Sequence, residues 1–114
     1  MFRPLLLAAG AIGATLTSFA LAQEPFVGRW AVKPEACSGY GDTAAGAVLV
    51  ATERTLSWFG SYCRIGKMYK AGQAVYVQAH CWGAGDVPVT LDARGDRMQV
   101  TWDRARLADM QRCK

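Results

Sequence analysis

Four cysteines (Cys37, Cys63, Cys81 and Cys113) and a single histidine, His80, offer the most reactive chemistry in this 114-residue chain. Successive cysteines stand 26, 18 and 32 residues apart. Structural zinc usually takes its ligands in closely spaced pairs, so this spacing points away from a metal site. The chain contains no C-x-x-C, which leaves thioredoxin-like redox chemistry without a motif. An even set of widely spaced cysteines is expected to form disulfides, provided the chain reaches an oxidising compartment. His80 has no serine or carboxylate at a spacing that would complete a catalytic triad, so it is expected at the surface. Asp86, Asp92, Asp96 and Asp103 fall at turns and strand edges, where solvated aspartates are common. Gly39-Tyr40-Gly41-Asp42-Thr43-Ala44 matches the G-x-G-x-x-A nucleotide pattern, but no strand leads into it and no helix follows. These glycines are read as loop residues. The expectation is therefore a non-enzymatic protein without metal or cofactor.

The amino terminus supplies the compartment. Arg3 forms a positive n-region, Leu5 to Leu21 an apolar stretch, and Ala20-Leu21-Ala22 a small-residue cleavage site before Gln23. Residues 1–22 are predicted to be a cleavable signal peptide, and 23–114 a single small domain, periplasmic or secreted. The apolar stretch is broken by Gly10, Gly13, Thr15, Thr17 and Ser18, which suits a signal better than an anchor. No stable membrane insertion is expected after cleavage. Without Arg3 the mature chain has 12 Lys and Arg against 9 Asp and Glu, a net charge of +3. The positives are dispersed singly except in the tail (Arg104, Arg106, Arg112, Lys114), so no nucleic-acid tract is expected.

The elements that must position these residues are short β-rich runs separated by glycine, the pattern of an all-β domain. A small antiparallel barrel or sandwich of about 7–8 short strands is predicted, stapled by its disulfides. Phe26 to Lys33 reads as the first strand, with Phe26, Trp30 and Val32 on one face and Pro34 ending it. Ala47 to Thr52 and Thr55 to Phe59 follow a loop over residues 38–46. Folding Val87 to Trp102 about Arg94-Gly95 pairs Leu91 with Met98, Val89 with Val100 and Val87 with Trp102, all on one face. Only Asp103 to Gln111 hints at a helical period. Trp30, Trp58 and Trp102 are expected in the core.

A second hairpin, with its turn on Gly72, pairs Tyr69 with Val75, Ile65 with Ala79 and Cys63 with Cys81. Opposed residues of a non-hydrogen-bonded antiparallel pair lie within disulfide reach, so this register favours Cys63–Cys81 and leaves Cys37 for Cys113. Cys37–Cys63 with Cys81–Cys113 remains the rival pairing, and a one-residue slip would favour it. The same register assigns Tyr62, Arg64, Met68, Tyr76, His80 and Trp82 to the other face. There Tyr62 opposes Trp82, Arg64 opposes His80 and Met68 opposes Tyr76. Aromatic, Met and Arg side chains are enriched at recognition surfaces, which makes this a candidate binding face. The competing reading is a face covered by another part of the chain, since cross-strand aromatic pairs also stabilise sheets.

The order Gly28-x-Trp30, Cys37, Cys63, Cys81 and a terminal Arg112-Cys113 resembles a group of small secreted bacterial proteins of unknown function. Gly-x-Trp followed by a cysteine also resembles the start of periplasmic metalloprotease-inhibitor barrels and of lipocalin-like barrels generally. That resemblance implies a closed antiparallel barrel with a binding role. The chain departs from the inhibitors in its four cysteines and its short arm, Gln23-Glu24-Pro25. The functions expected are a monomeric exported module that binds a protein or envelope component, an inhibitor of an exported hydrolase (a protease before a lysozyme), or a structural or stress protein without a discrete ligand.

Overall fold

The computed structural model describes residues 24–38 and 43–114. The predicted signal peptide, residues 1–22, lies outside them. Among the described residues nine strands form one antiparallel sheet: β1 (Gly28–Ala31), β2 (Val48–Ala51), β3 (Thr55–Trp58), β4 (Ser61–Ala71), β5 (Ala74–Cys81), β6 (Gly85–Arg94), β7 (Arg97–Trp102), β8 (Ala105–Arg106) and β9 (Met110–Arg112). Each of β1 to β7 pairs with its successor, and β9 lies between β7 and β1. The result is a closed eight-strand up-and-down barrel of β1–β7 and β9, with β8 as an extra strand beside the far half of β7. Closure settles barrel over sandwich and leaves no long unpaired edge.

Alternation places the core. β5 buries Val75, Val77, Ala79 and Cys81, while β6 buries Val87, Val89, Leu91 and Ala93. Trp30, Leu49, Leu56, Met98, Val100 and Met110 fill the axis. An eight-strand barrel is just wide enough for its side chains to fill. Alanines at 51, 79 and 93 sit among these larger groups, the small-and-large mixture that a tapering interior needs. Trp30 and Trp58 are core residues as predicted, whereas Trp102 is only half-buried.

The turns alternate between two rims. Phe59-Gly60, Trp82–Ala84 and Asp103-Arg104 lie at one; Glu53-Arg54, Gly72-Gln73 and Gly95-Asp96 lie at the base. Glu24 to Val27 cross the base, where the Trp30 indole N–H donates to the Phe26 carbonyl at 2.9 Å. Arg112 closes it from the other terminus. Its guanidinium donates to the carbonyls of Val27 at 2.9 Å and Pro25 at 3.0 Å. A side chain at Gly28 would meet Arg112 Nη1 at 2.6 Å, so Gly-x-Trp and Arg112 fit one another.

Both preferred disulfides are present, Cys37–Cys113 and Cys63–Cys81. Trp82 N–H donates to the Tyr62 carbonyl at 2.9 Å, so the adjacent Cys63 and Cys81 form the non-hydrogen-bonded pair a cross-strand bridge requires.

Three readings need correction. The hairpin of β6 and β7 turns at Gly95-Asp96, so Leu91 opposes Val100, Val89 opposes Trp102 and Ala93 opposes Met98. This slip of two residues leaves every side chain on its predicted face. The first strand is shorter than Phe26 to Lys33, because Phe26 lies in the turn that seals the base. Asp103 to Gln111 is not helical. Asp103 and Arg104 take φ of 51° and 72°, reversing the chain so that β8 and β9 pair with β7. A nine-residue helix is marginal on its own, and the open edges of β1 and β7 offer a better partner.

Candidate binding face

Gly66 sets the geometry of the outer face of β4 and β5. A bulge interrupts the β4–β5 register between Ile65 and Lys67. Before it, Cys63 and Ile65 point inward; after it the parity reverses, and Tyr69 opposes Tyr76 on the outside. Tyr69 is therefore 61% exposed, not packed inward against Val75 as the simple register predicts. Met68 moves the opposite way. It opposes Val77 on the inward-facing side, near the end of the hairpin, so its placement opposite Tyr76 is overturned. A bulge adds one residue to one strand, and every side chain beyond it changes face.

The other five predicted residues (Tyr62, Arg64, Tyr76, His80 and Trp82) do share one exposed face. Trp82, in the turn after β5, is 90% exposed and Tyr62 beside it 59%. Next along the hairpin come Arg64 opposite His80, Lys67 opposite Gln78, and Tyr69 opposite Tyr76. β6 extends these rows with Asp86 beside His80, Pro88 beside Gln78 and Thr90 beside Tyr76. Proline is tolerated there because its backbone faces β7 where that ladder ends: its carbonyl accepts the Asp103 N–H at 2.8 Å.

His80 and Asp86 pair through Nδ1 and a carboxylate oxygen. His80 is exposed, and cross-strand register sets beside it a carboxylate that linear spacing does not reveal. The imidazole lies across Gly66, where a Cβ would come within 2.6 Å of Nε2 and 2.9 Å of Cδ2. Gly66 therefore both forms the bulge and makes room for the ring. Among the described residues no hydroxyl or thiol is hydrogen-bonded to His80, and no group of three or more His, Cys, Asp or Glu side chains is arranged to hold a metal.

A shallow groove of about 400 Å³ runs between the Tyr69–Tyr76 pair and Gln78, Asp86, Pro88 and Thr90. Tyr69, Gln78, Asp86, Pro88 and Thr90 escape sequence reasoning. The one available signal for Tyr69 is a glycine inside a strand pattern, which marks a bulge. A second cleft of about 430 Å³ opens at the base between Glu24–Phe26 and the turns at Gly72 and Gly95. Lys70 reaches Glu24 across it at 2.8 Å. At its edge Asp92 accepts a hydrogen bond from Arg94, which raises the guanidinium pKa further.

The charge on the aromatic face is sparse and mixed. Arg64 and Lys67 are exposed and lie in no ion pair among the described residues. Asp86 offsets them. Among the described residues no helix is long and apolar enough to cross a membrane. No family model, curated protein or solved structure matches this chain.

Proposed function

We propose that this protein is an exported, non-enzymatic binding module that engages an envelope component through the outer face of β4, β5 and β6. One observation carries the reading. Of the six large apolar side chains that stand exposed among the described residues, Tyr62, Tyr69, Tyr76 and Trp82 share this outer face, while Phe59 stands in the adjoining β3–β4 turn and Met68 on the other side of β4. Single exposed apolar residues are ordinary; their confinement to one hairpin and its flanking turns is the mark of an interaction surface. Tyr and Trp also give much contact area for little side-chain entropy, which suits recognition. The filled barrel axis favours an outer surface over an internal ligand cavity. The two disulfides are consistent with an oxidising compartment.

The test is capture from a solubilised envelope fraction by the immobilised mature protein, compared with Trp82→Ala and Tyr76→Ala. Exposed truncations of this kind change stability by less than about 0.5 kcal/mol, so the variants remain folded. Loss of a captured component in both variants supports the reading. Equal capture by all three proteins removes it and favours a structural role.

Hydrolase inhibition is the alternative. Glu24, Pro25 and Val27 are held against the base by Lys70 and Arg112, so a projecting arm of these residues is not available to enter a cleft. An inhibitory contact would instead use the rim turns bearing Phe59 and Trp82. Micromolar inhibition of a metallo- or serine protease, relieved by Trp82→Ala, would make a hydrolase the partner.

A further inference from the structure

We propose that the outer face of β5 is a track for an extended neutral or sparsely charged glycan; this rests on the binding-module reading above and names its ligand. Tyr62 and Trp82 stand at one end of the track, and Tyr69 and Tyr76 at the other. The six steps of extended chain from Tyr76 to Trp82 span about 20 Å, the length of a short oligosaccharide rather than of one small molecule. Between the aromatic ends the surface is polar, with Gln78, His80, Asp86 and Thr90 exposed or half-buried on it.

A sugar ring matches this alternation. Its C–H faces stack on aromatic rings, while its equatorial hydroxyls both donate and accept hydrogen bonds around the edge. Asp86 accepts from hydroxyls with the added strength of its charge. The Gln78 amide serves as donor and acceptor at once. The His80–Asp86 pair, with the ring seated over Gly66, orients the Asp86 carboxylate on this surface. Preorganised polar groups lower the entropy cost of binding. The bulge brings Tyr69 out beside Tyr76 and opens the space for His80, so one glycine builds both halves of the track.

Charge decides between polymers. A single-stranded nucleic acid also stacks on aromatic platforms, but each nucleotide adds a phosphate that needs a cation. The track offers only Arg64 and Lys67, with Asp86 set among the contacts. A carboxylate in the groove repels phosphates and welcomes hydroxyls.

The experiment titrates the mature protein with cellohexaose, chitohexaose and xylohexaose, with the disaccharides cellobiose and chitobiose, and with a dodecamer of deoxythymidylate. Amide chemical shifts are the readout. Saturable binding of a hexasaccharide is expected, at least ten-fold tighter than its disaccharide, with shifts along β4–β6. Trp82→Ala and Tyr76→Ala should each weaken it about ten-fold while leaving remote amide shifts unchanged. No saturable binding of any hexasaccharide at millimolar concentration overturns the proposal. So does binding indifferent to both substitutions, or tighter binding of the oligonucleotide. Digesting the envelope fraction separates this proposal from the broader reading: a Trp82-dependent captured component destroyed by protease and spared by glycosidase leaves a binding module and rejects the glycan.

Discussion

The guanidinium carbon of Arg112 lies 4.3 Å from the centre of the Trp30 ring, so the last strand of the barrel grips the first. The same group donates to the Val27 and Pro25 carbonyls and lies 3.7 Å from an Asp96 carboxylate oxygen. Stacking over the indole and two charge-assisted hydrogen bonds act together here. Arg112→Ala is expected to cost about 2–4 kcal/mol in urea unfolding. Arg112→Lys should recover less than half, because an ammonium cannot stack and fork to two carbonyls at once. Equal stability of the Lys and Arg proteins would reduce the clamp to a simple charge.

The two disulfides close loops of different length, with sequence separations of 76 and 18. In the chain-entropy model these correspond to about 4.5 and about 3 kcal/mol of stabilisation. Unfolding of the Cys37→Ala/Cys113→Ala protein should therefore show the greater loss. The reverse order would mean that packing around Cys63, which is wholly buried, outweighs the loop term.

Gly66→Ala places a methyl group against the His80 ring. The methyl displaces the partly exposed ring and stands 3.1 Å from the Gln78 carbonyl oxygen, so the cost is the His80–Asp86 interaction, on the order of 1 kcal/mol, plus a small backbone adjustment. A double-mutant cycle with His80→Ala should show coupling of similar size, since the alanine removes the ring that the methyl strikes. Additive effects would show that the bulge, not the ring, bears the penalty.

Phe59 and Gly60 both have positive φ, 46° and 81°, the requirement of a two-residue type I′ turn. A bulky residue there is strained, and Asn-Gly is the preferred sequence. Phe59 is held beside Trp58 with ring centres 5.5 Å apart. Relief of about 1 kcal/mol or more of strain should exceed the loss of this one aromatic contact, worth about 0.5–1.5 kcal/mol, by a few tenths. Phe59→Asn is thus expected to raise the unfolding midpoint slightly. A lower midpoint would show that the Trp58 contact dominates.

The β alternation was legible because period two survives errors of an even number of residues. Leu91, Met98, Val89, Val100 and Val87 all lie in the core although the turn predicted at Arg94-Gly95 stands one position too early, because the two-residue slip keeps their faces. Odd shifts are less forgiving. The Cys63–Cys81 pairing followed from a register centred on Gly72, whereas the turn is Gly72-Gln73 and sets the pairing one residue further on. The bulge at Gly66 takes that residue back, so the two departures cancel at the cysteines and leave Tyr69 and Met68 on the wrong faces between them. Neither the bulge nor the pairing of His80 with Asp86 has a signature in linear spacing, because both arise between strands. The tail misled for a related reason: its strands are two and three residues long, too short to show alternation, and they exist because two neighbouring strands lack partners.

The seam between β1 and β9 joins residues near opposite ends of the described chain, Trp30 with Arg112 and Ala31 with Gln111. A growing polypeptide can assemble its consecutive hairpins as they emerge, but the edge of β1 that faces away from β2 has no partner until β9 is made. Until then it is an open, adhesive ribbon with two bare margins. Loss of only the last five residues should therefore harm solubility far more than their number suggests, since it reopens the ring.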